Sequence, residues 1–515
     1  MKIKPFRNET FTDFSKKSNI EKQEKALKLV RKQLGKTHEM IVDGKKLRSN
    51  GRIISYNPSK KDEIIAKFHK GTKEIANRAV ETAYKKFEEW KLVPPQNRAG
   101  YLFKAAAIIK KRRFEINSWM ILETGKNYLE ADADTAEAID FLEFYAREML
   151  RYASKQPITT LKGEKNELVY LPLGVGVTVP PWNFPFAILV GMTSAAVVTG
   201  NTVVLKPSSD SPMMGKLFCD VMKESGLPDG IINFLPGSGG EVGDTLVGHP
   251  KVRFISFTGS MEVGTHIYEL AAKVQPGQIW LKRVIAEMGG KDSIIVDHET
   301  NLDEAAKGVA AAAFGFQGQK CSACSRAIVD KKVYSKFVSK LKTEVEKIHV
   351  GPGEENYDMG AVINESAQKS ILNYIRIGKK EGKLLTGGGK AKGNGYFIKP
   401  TVITDIKPND RLAQEEIFGP VLAVIKSNNY EHSLKIANNT IYGLTGAVYT
   451  RNRNKINAAK SHLLIGNLYF NRKCTGALVG CHPFGGFNMS GTDSKAGGRD
   501  YLLLFLQAQT MSEKL

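Results

Sequence analysis

The chain has 515 residues, 42% hydrophobic and 25% charged, with 48 glycines; these are proportions of a folded protein, and they exclude a disordered or fibrous chain and, at this length, a single compact core. No apolar run approaches a membrane span, residues 1–8 are polar and basic without the apolar stretch of a signal peptide, and five scattered cysteines are no disulfide framework, which together point to a reducing cytoplasm. The formal charge of +22 is read as a solvated surface, with no nucleic acid and no membrane partner, because Lys16, Lys17, Lys22, Lys25 and Lys28 mix with Glu21 and Glu24 and no nucleic-acid-binding motif accompanies them.

Residues 1–50 are polar and read as an N-terminal extension, with one helix expected over 20–34 from the spacing of Ala26, Leu27, Leu29 and Val30. From 73 to 152 the pattern is helical. Asn97 would cap a run through Tyr101, Leu102, Ala105, Ile108 and Ile109, and a further helix covers about 132–149. β-type runs at 174–179, 202–205, 231–234 and 252–257 then alternate with helical segments, the pattern of βαβ units and a parallel sheet. A second α/β domain is expected from strands at 280–286, 293–296 and 327–329 and an Ala-rich helix at 302–314. The glycines at 387–389 are followed by no Lys-Ser/Thr pair, so they mark a turn rather than a phosphate loop. The apolar run 502–506 reads as a short strand able to pair with the sheet edge of a second chain.

Three segments carry chemistry. In Gly318-Gln319-Lys320-Cys321-Ser322-Ala323-Cys324, small residues surround Cys321, and the neighbouring lysine and preceding helix suit a nucleophilic thiol, although an inert buried cysteine fits the same residues. Cys321 and Cys324 also form C-x-x-C, but no second pair or histidine cluster completes a metal site, and no metal is expected. Glu287, at the end of a β-run before Met288-Gly289-Gly290, would project into a cleft as a base, or sit on the surface before a turn. Asn183, between Pro181-Trp182 and Phe184-Pro185, could donate to a developing oxyanion, or simply form a turn.

These three segments, with Phe257-Thr258-Gly259-Ser260 and Glu416-Ile417-Phe418-Gly419-Pro420, resemble in order and spacing the aldehyde dehydrogenase superfamily from about residue 40 to the end. That resemblance implies an α/β aldehyde dehydrogenase fold. It would comprise a Rossmann-like cofactor domain (51–150 and 172–286), an α/β catalytic domain (287–480), and a small β oligomerisation arm with the C-terminal segment (151–171 and 481–515). It implies that Cys321 attacks the aldehyde, Asn183 and the Cys321 N–H hold the oxyanion, and Glu287 activates the water that hydrolyses a thioester. For the cofactor it implies NAD, with Lys206 at the adenosine ribose, Gly259, Ser260 and Gly264 at the pyrophosphate, and Glu416 and Phe418 at the nicotinamide ribose and ring. Where many NAD-preferring members carry a glutamate after the Lys-Pro pair, this chain has Ser209, which leaves NADP open.

Within that superfamily, the segments 275–288, 318–326 and 475–486 resemble the 1-pyrroline-5-carboxylate dehydrogenases, which oxidise L-glutamate γ-semialdehyde to L-glutamate in proline and arginine catabolism. This second resemblance implies that Ser322 and the backbone N–H groups of Gly476 and Ala477 anchor the substrate's amino-acid head. Phe184 and Phe484 would flank its stem, and Glu123 would face its ammonium. A homodimer or a higher assembly of dimers, and a functional partnership with proline dehydrogenase, are implied in the same way.

Overall fold

Val175–Val179, Thr202–Leu205, Ile232–Phe234 and Val252–Thr258 are rich in β-branched and aromatic residues, nearly all of them buried, as strands covered by helices on both faces must be. In the computed structural model, which describes residues 4–515, these four strands and Arg283–Glu287 form the parallel part of a seven-stranded sheet. Arg283–Glu287 lies at one edge, followed by Val252–Thr258, Val175–Val179, Thr202–Leu205 and Ile232–Phe234. The order therefore reverses between the first strand of the series, Val175–Val179, and the fourth, Val252–Thr258. Beyond the carboxyl ends of such a pair lies the crevice where open α/β sheets bind ligands. Met40–Val42 and Lys45–Leu47 extend the far edge antiparallel.

A second seven-stranded sheet runs Lys383–Thr386, Thr401–Thr404, Val421–Ser427, Arg326–Asp330, Ser293–Val296, Thr445–Tyr449 and Asn467–Phe470, parallel except for its first pair. The two sheets are joined directly through Glu287, the last residue of one, and the short segment leading to Ser293. Glu164–Pro172 and Leu506–Lys514 form a separate antiparallel ribbon, its second strand exposed on both faces beyond Leu506.

The structure departs from the sequence reading at several elements. Residues 40–47, placed there in an N-terminal extension, are edge strands of the first sheet. The helix Lys17–Arg31 is docked as well: buried Gln23 donates to Ser118 Oγ (2.8 Å) and the Phe114 carbonyl (3.1 Å). The helix expected from Asn97 begins at Pro95, so Asn97 lies inside the first turn, where a leading proline needs no N–H partner. The helix expected over 132–149 is Tyr128–Ala153, extended forward by a capping box between Asn127 and Glu130. The strand expected at 280–286 as part of the second domain is Arg283–Glu287 and pairs with Val252–Thr258 at the edge of the first sheet, and Trp280 lies before it with its indole N–H donating to the Val252 carbonyl (3.1 Å). Residues Tyr501–Phe505 form a 3-10 turn rather than a strand, because Tyr501, Leu502 and Phe505 are drawn into the core; the ribbon strand begins only at Leu506. Among the described residues no helix is long and apolar enough to cross a membrane.

Candidate active site

The nucleophile candidate sits where the second sheet meets the first. The helix Leu302–Phe314 ends in a tight turn in which Phe316 and Gln317 take positive φ (49° and 57°), and the Cys321 loop leads from it into the strand Arg326–Asp330. Side chains hold that loop from several directions. Gln317 Nε2 donates to the carbonyls of Gly125 (3.1 Å) and Ala361 (2.8 Å), and Gln319 Oε1 accepts from Ile363 N–H (2.9 Å). Asn183 is buried, and its Nδ2 donates to the Gln319 carbonyl (3.1 Å) while its Oδ1 accepts from Phe184 N–H (3.1 Å). Those two bonds fix the amide's orientation two residues before Cys321, leaving one Nδ2 hydrogen.

Glu287 closes the edge strand Arg283–Glu287, opposite Thr258 in register. Its Oε1 accepts from the Ser494 hydroxyl, and its other carboxylate oxygen is buried without a partner among the described residues. Burial pushes its carboxyl up to about 8, against the hydrogen bonds of Ser494 and Gly486 and the charge of Lys495. Cys321 and Glu287 line one cavity of about 120 Å³, walled by Phe141, Phe184, Ile188, Met192, Phe484 and Tyr501. The Cys321 thiol is pushed up by burial and by the nearby carboxyls of Asp292, Glu416 and Glu287, so it rests as the neutral thiol.

This cavity shares Glu137, Phe184, Ser322, Gly476 and Ala477 with an outer basin of about 700 Å³. Phe184 is held by Lys126, whose ammonium lies 4.4 Å from the ring centroid and 3.0 Å from Asp134 Oδ2. The structure thus gathers Cys321, Glu287, Phe184, Phe484, Ser322, Gly476 and Ala477 around one space.

Glu123 does not join them. It is fully buried, and its Oε1 accepts from Met213 N–H (3.0 Å) at the start of the helix Pro212–Glu224 and from Ser55 Oγ (2.9 Å). Burial pushes it up to about 8, so the group is largely neutral near pH 7 and locks elements together; the expectation that it faces the substrate ammonium is corrected. The acidic group that lines the cavity beside Glu287 is Glu137. Ala133, Glu137, Phe141 and Tyr145, four residues apart on Tyr128–Ala153, all line the two cavities. The signal in the sequence was one carboxylate within an otherwise apolar helical stripe. Burial, then Asp134 and Asp140, pushes Glu137 up to about 8. Lys320, the lysine read beside the thiol, lines the basin, and burial pulls it down to about 8.

The cofactor candidates lie on the carboxyl side of the first sheet and at its junction with the second. Lys206 follows the strand Thr202–Leu205 and is buried; among the described residues its ammonium has one acceptor, the Pro207 carbonyl at 3.5 Å, which leaves donors for another polar group. Burial pulls it down to about 8. Ser209 is exposed just beyond. Gly259 and Ser260 follow Val252–Thr258 at the order reversal, and the Ser260 hydroxyl accepts from Val263 N–H (3.3 Å), capping the helix Met261–Ala272. Gly264 is buried in that helix, where a Cβ would come 2.5 Å from Met288 Sδ, so it serves helix-on-sheet packing as well. Glu416 Oε1 accepts from Gly290 N–H (2.9 Å), and Phe418 packs edge-on against Trp182, with centroids 5.4 Å apart. Of the metal candidates, Cys324 points its thiol at the Arg326 carbonyl (3.5 Å). The cluster Asp297, His298 and Asp330 already has Lys455 Nζ 2.7 Å from Asp297 Oδ1.

Residues 46–511 match the model of the aldehyde dehydrogenase family, and the chain belongs to that family. Within it, the chain is similar to 1-pyrroline-5-carboxylate dehydrogenases. It is 54% identical over 512 residues to the enzyme of that name from Geobacillus kaustophilus, covering 99% of both chains. It superposes on 1-pyrroline-5-carboxylate dehydrogenase from Thermus with bound NAD at a TM-score of 0.98, with 47% identity and full coverage of both. Proline utilization A from Bdellovibrio bacteriovorus gives the same TM-score at 44% identity, covering all of this chain and 54% of that one.

Proposed function

We propose that this protein oxidises L-glutamate γ-semialdehyde, the open form of 1-pyrroline-5-carboxylate, to L-glutamate with NAD, in proline and arginine catabolism. The observation that carries this reading is the meeting of a cysteine, a buried carboxyl and a loop of free amide donors around one cavity. Cys321, once deprotonated, adds to the aldehyde carbon, and the remaining Asn183 Nδ2 hydrogen with the Cys321 N–H stabilises the alkoxide of the thiohemiacetal. Bound NAD supplies the hydride acceptor; loss of hydride from the thiohemiacetal leaves a thioester on Cys321. Glu287 takes a proton from water, whose oxygen attacks the thioester carbonyl; the C–S bond breaks to release the acid, and the proton held by Glu287 returns to the Cys321 sulfur. Lys206, Ser260, Glu416 and Phe418 would hold the cofactor. Ser209 places no carboxylate against a 2′-phosphate, so NADP is the second cofactor to assay.

Glu137 takes the place once assigned to Glu123. An ammonium beside it would keep the carboxylate charged despite burial. Glu137→Gln is expected to raise KM for the semialdehyde about tenfold with little change in kcat, in keeping with one lost charged contact; an unchanged KM would remove Glu137 from the substrate contacts.

Wild-type protein is expected to show a catalytic efficiency at least about 100-fold higher for L-glutamate γ-semialdehyde than for propanal, with succinate semialdehyde between them, because a site built to bond a polar head discriminates against its absence. Preference for propanal would keep the family chemistry and overturn this substrate. The exposed ribbon Glu164–Pro172 with Leu506–Lys514 is too small to be stable alone, which supports a homodimer or larger assembly of dimers with the ribbon covered. The match to part of a longer proline utilization chain supports functional coupling to proline dehydrogenase, and five free cysteines suit the cytoplasm.

A further inference from the structure

Arg472 lies behind the loop that carries Gly476 and Ala477. Its Nη2 donates to the carbonyl oxygens of Thr475 (2.9 Å) and Gly476 (3.0 Å), and its guanidinium sits 4.5 Å from the centroid of the Tyr469 ring. A trans peptide is planar, with its C=O and N–H pointing in opposite directions. No cis peptide occurs among the described residues, so a side chain that gathers the carbonyls of 475 and 476 turns the N–H groups of Gly476 and Ala477 the other way. Gly476 stands at φ +81°, a left-handed conformation that brings successive N–H groups toward one concave face, the arrangement that receives anions. Among the described residues neither N–H donates to a protein acceptor. The far side of the loop is tied to the nucleophile, because the Cys474 thiol donates to the Ser322 carbonyl (3.4 Å).

We propose that Arg472 is a positioning and specificity-determining residue that, by holding two carbonyls from behind, aims the Gly476 and Ala477 N–H donors at the substrate carboxylate. The proposal rests on the substrate reading above. Arg472 lines the outer basin but not the inner cavity at Cys321, so it acts through the loop rather than on the reacting atoms. Both bonds come from Nη2, at the far end of the guanidinium; a lysine ammonium keeps the charge but stops one bond short of that nitrogen, near the place of Cζ, and is not held in the guanidinium plane.

The test compares full-length wild type, R472Q and R472K with L-glutamate γ-semialdehyde and with propanal, alongside competitive inhibition by L-glutamate. Both variants are expected to raise KM for the semialdehyde and Ki for L-glutamate about tenfold, as weakened hydrogen bonds to a charged ligand require. The propanal kcat/KM should move far less and reports that the variant is folded. R472K supplies the comparison where R472Q does not fold. Wild-type-like KM and Ki in R472K would assign the effect to charge alone and overturn the positioning role, as would equal losses for both aldehydes. A wild-type enzyme with no preference for the semialdehyde overturns the substrate reading and this proposal together. A preference undiminished from wild type in both variants overturns only this one.

Discussion

Cys321→Ser is expected to lower kcat by about 10³-fold or more while leaving NAD affinity within about twofold. The thiol is already held in its neutral form chiefly by burial, so the wild-type enzyme must remove its proton before attack. A serine hydroxyl is far harder to ionise, and the same surroundings oppose its alkoxide more strongly still. Lys206, Ser260 and Phe418, which would hold the dinucleotide, are supported by strand ends, a helix cap and Trp182, none of which needs the sulfur. Steady-state turnover with the semialdehyde and titration of nucleotide binding check both halves. Near-normal turnover would remove Cys321 from the role of nucleophile, and lost NAD binding would show that the substitution disturbs the cofactor site as well.

The central strands of the first sheet, and 293–296 and 327–329 of the second, were legible in the sequence because they are short apolar runs separated by helical periodicity, and burial on both faces leaves no alternation to misread; the other five strands of the second sheet were not read. What escaped depended on partners distant in the chain. Met40–Val42 is three residues long, pairs with Lys45–Leu47, and joins the sheet through Ile41 opposite Phe234. Tyr501–Phe505 is apolar enough for a strand, yet it coils because Phe505 packs on Phe254, with ring centroids 5.3 Å apart. In the site, Cys321, Glu287 and Asn183 stand in short segments whose neighbours announce them. Glu123 and Glu137 are two acids fourteen residues apart on successive helices, and only packing turns one onto Met213 N–H and the other toward the cavity. Ser494 beside Glu287 and Arg472 behind Gly476 were invisible for a related reason: each acts through contacts that spacing alone does not specify.

Glu287→Gln separates the two halves of the reaction. Glutamine has nearly the same shape, and its amide oxygen can still accept from Ser494, so the cavity should keep its form. An amide cannot take a proton from water, and hydrolysis of the thioester is expected to slow by about 10²- to 10⁴-fold. Rapid mixing should then show close to one equivalent of NADH per site in the first turnover, followed by a slow steady rate. The pH profile gives an independent reading. Burial raises the Glu287 carboxyl from its usual value near 4.5 to about 8, so near pH 7 it is mostly protonated and unable to act as a base. Where hydrolysis limits turnover, wild-type kcat should therefore climb as pH rises through about 8 and level off above it, and that rise should vanish in the variant. A burst that disappears while the isolated thioester hydrolyses normally would place Glu287 in the acylation half instead. A variant that keeps both the wild-type rate and the wild-type pH profile would leave the base to be sought among the other groups at this cavity, of which Glu137 is the one with a carboxylate.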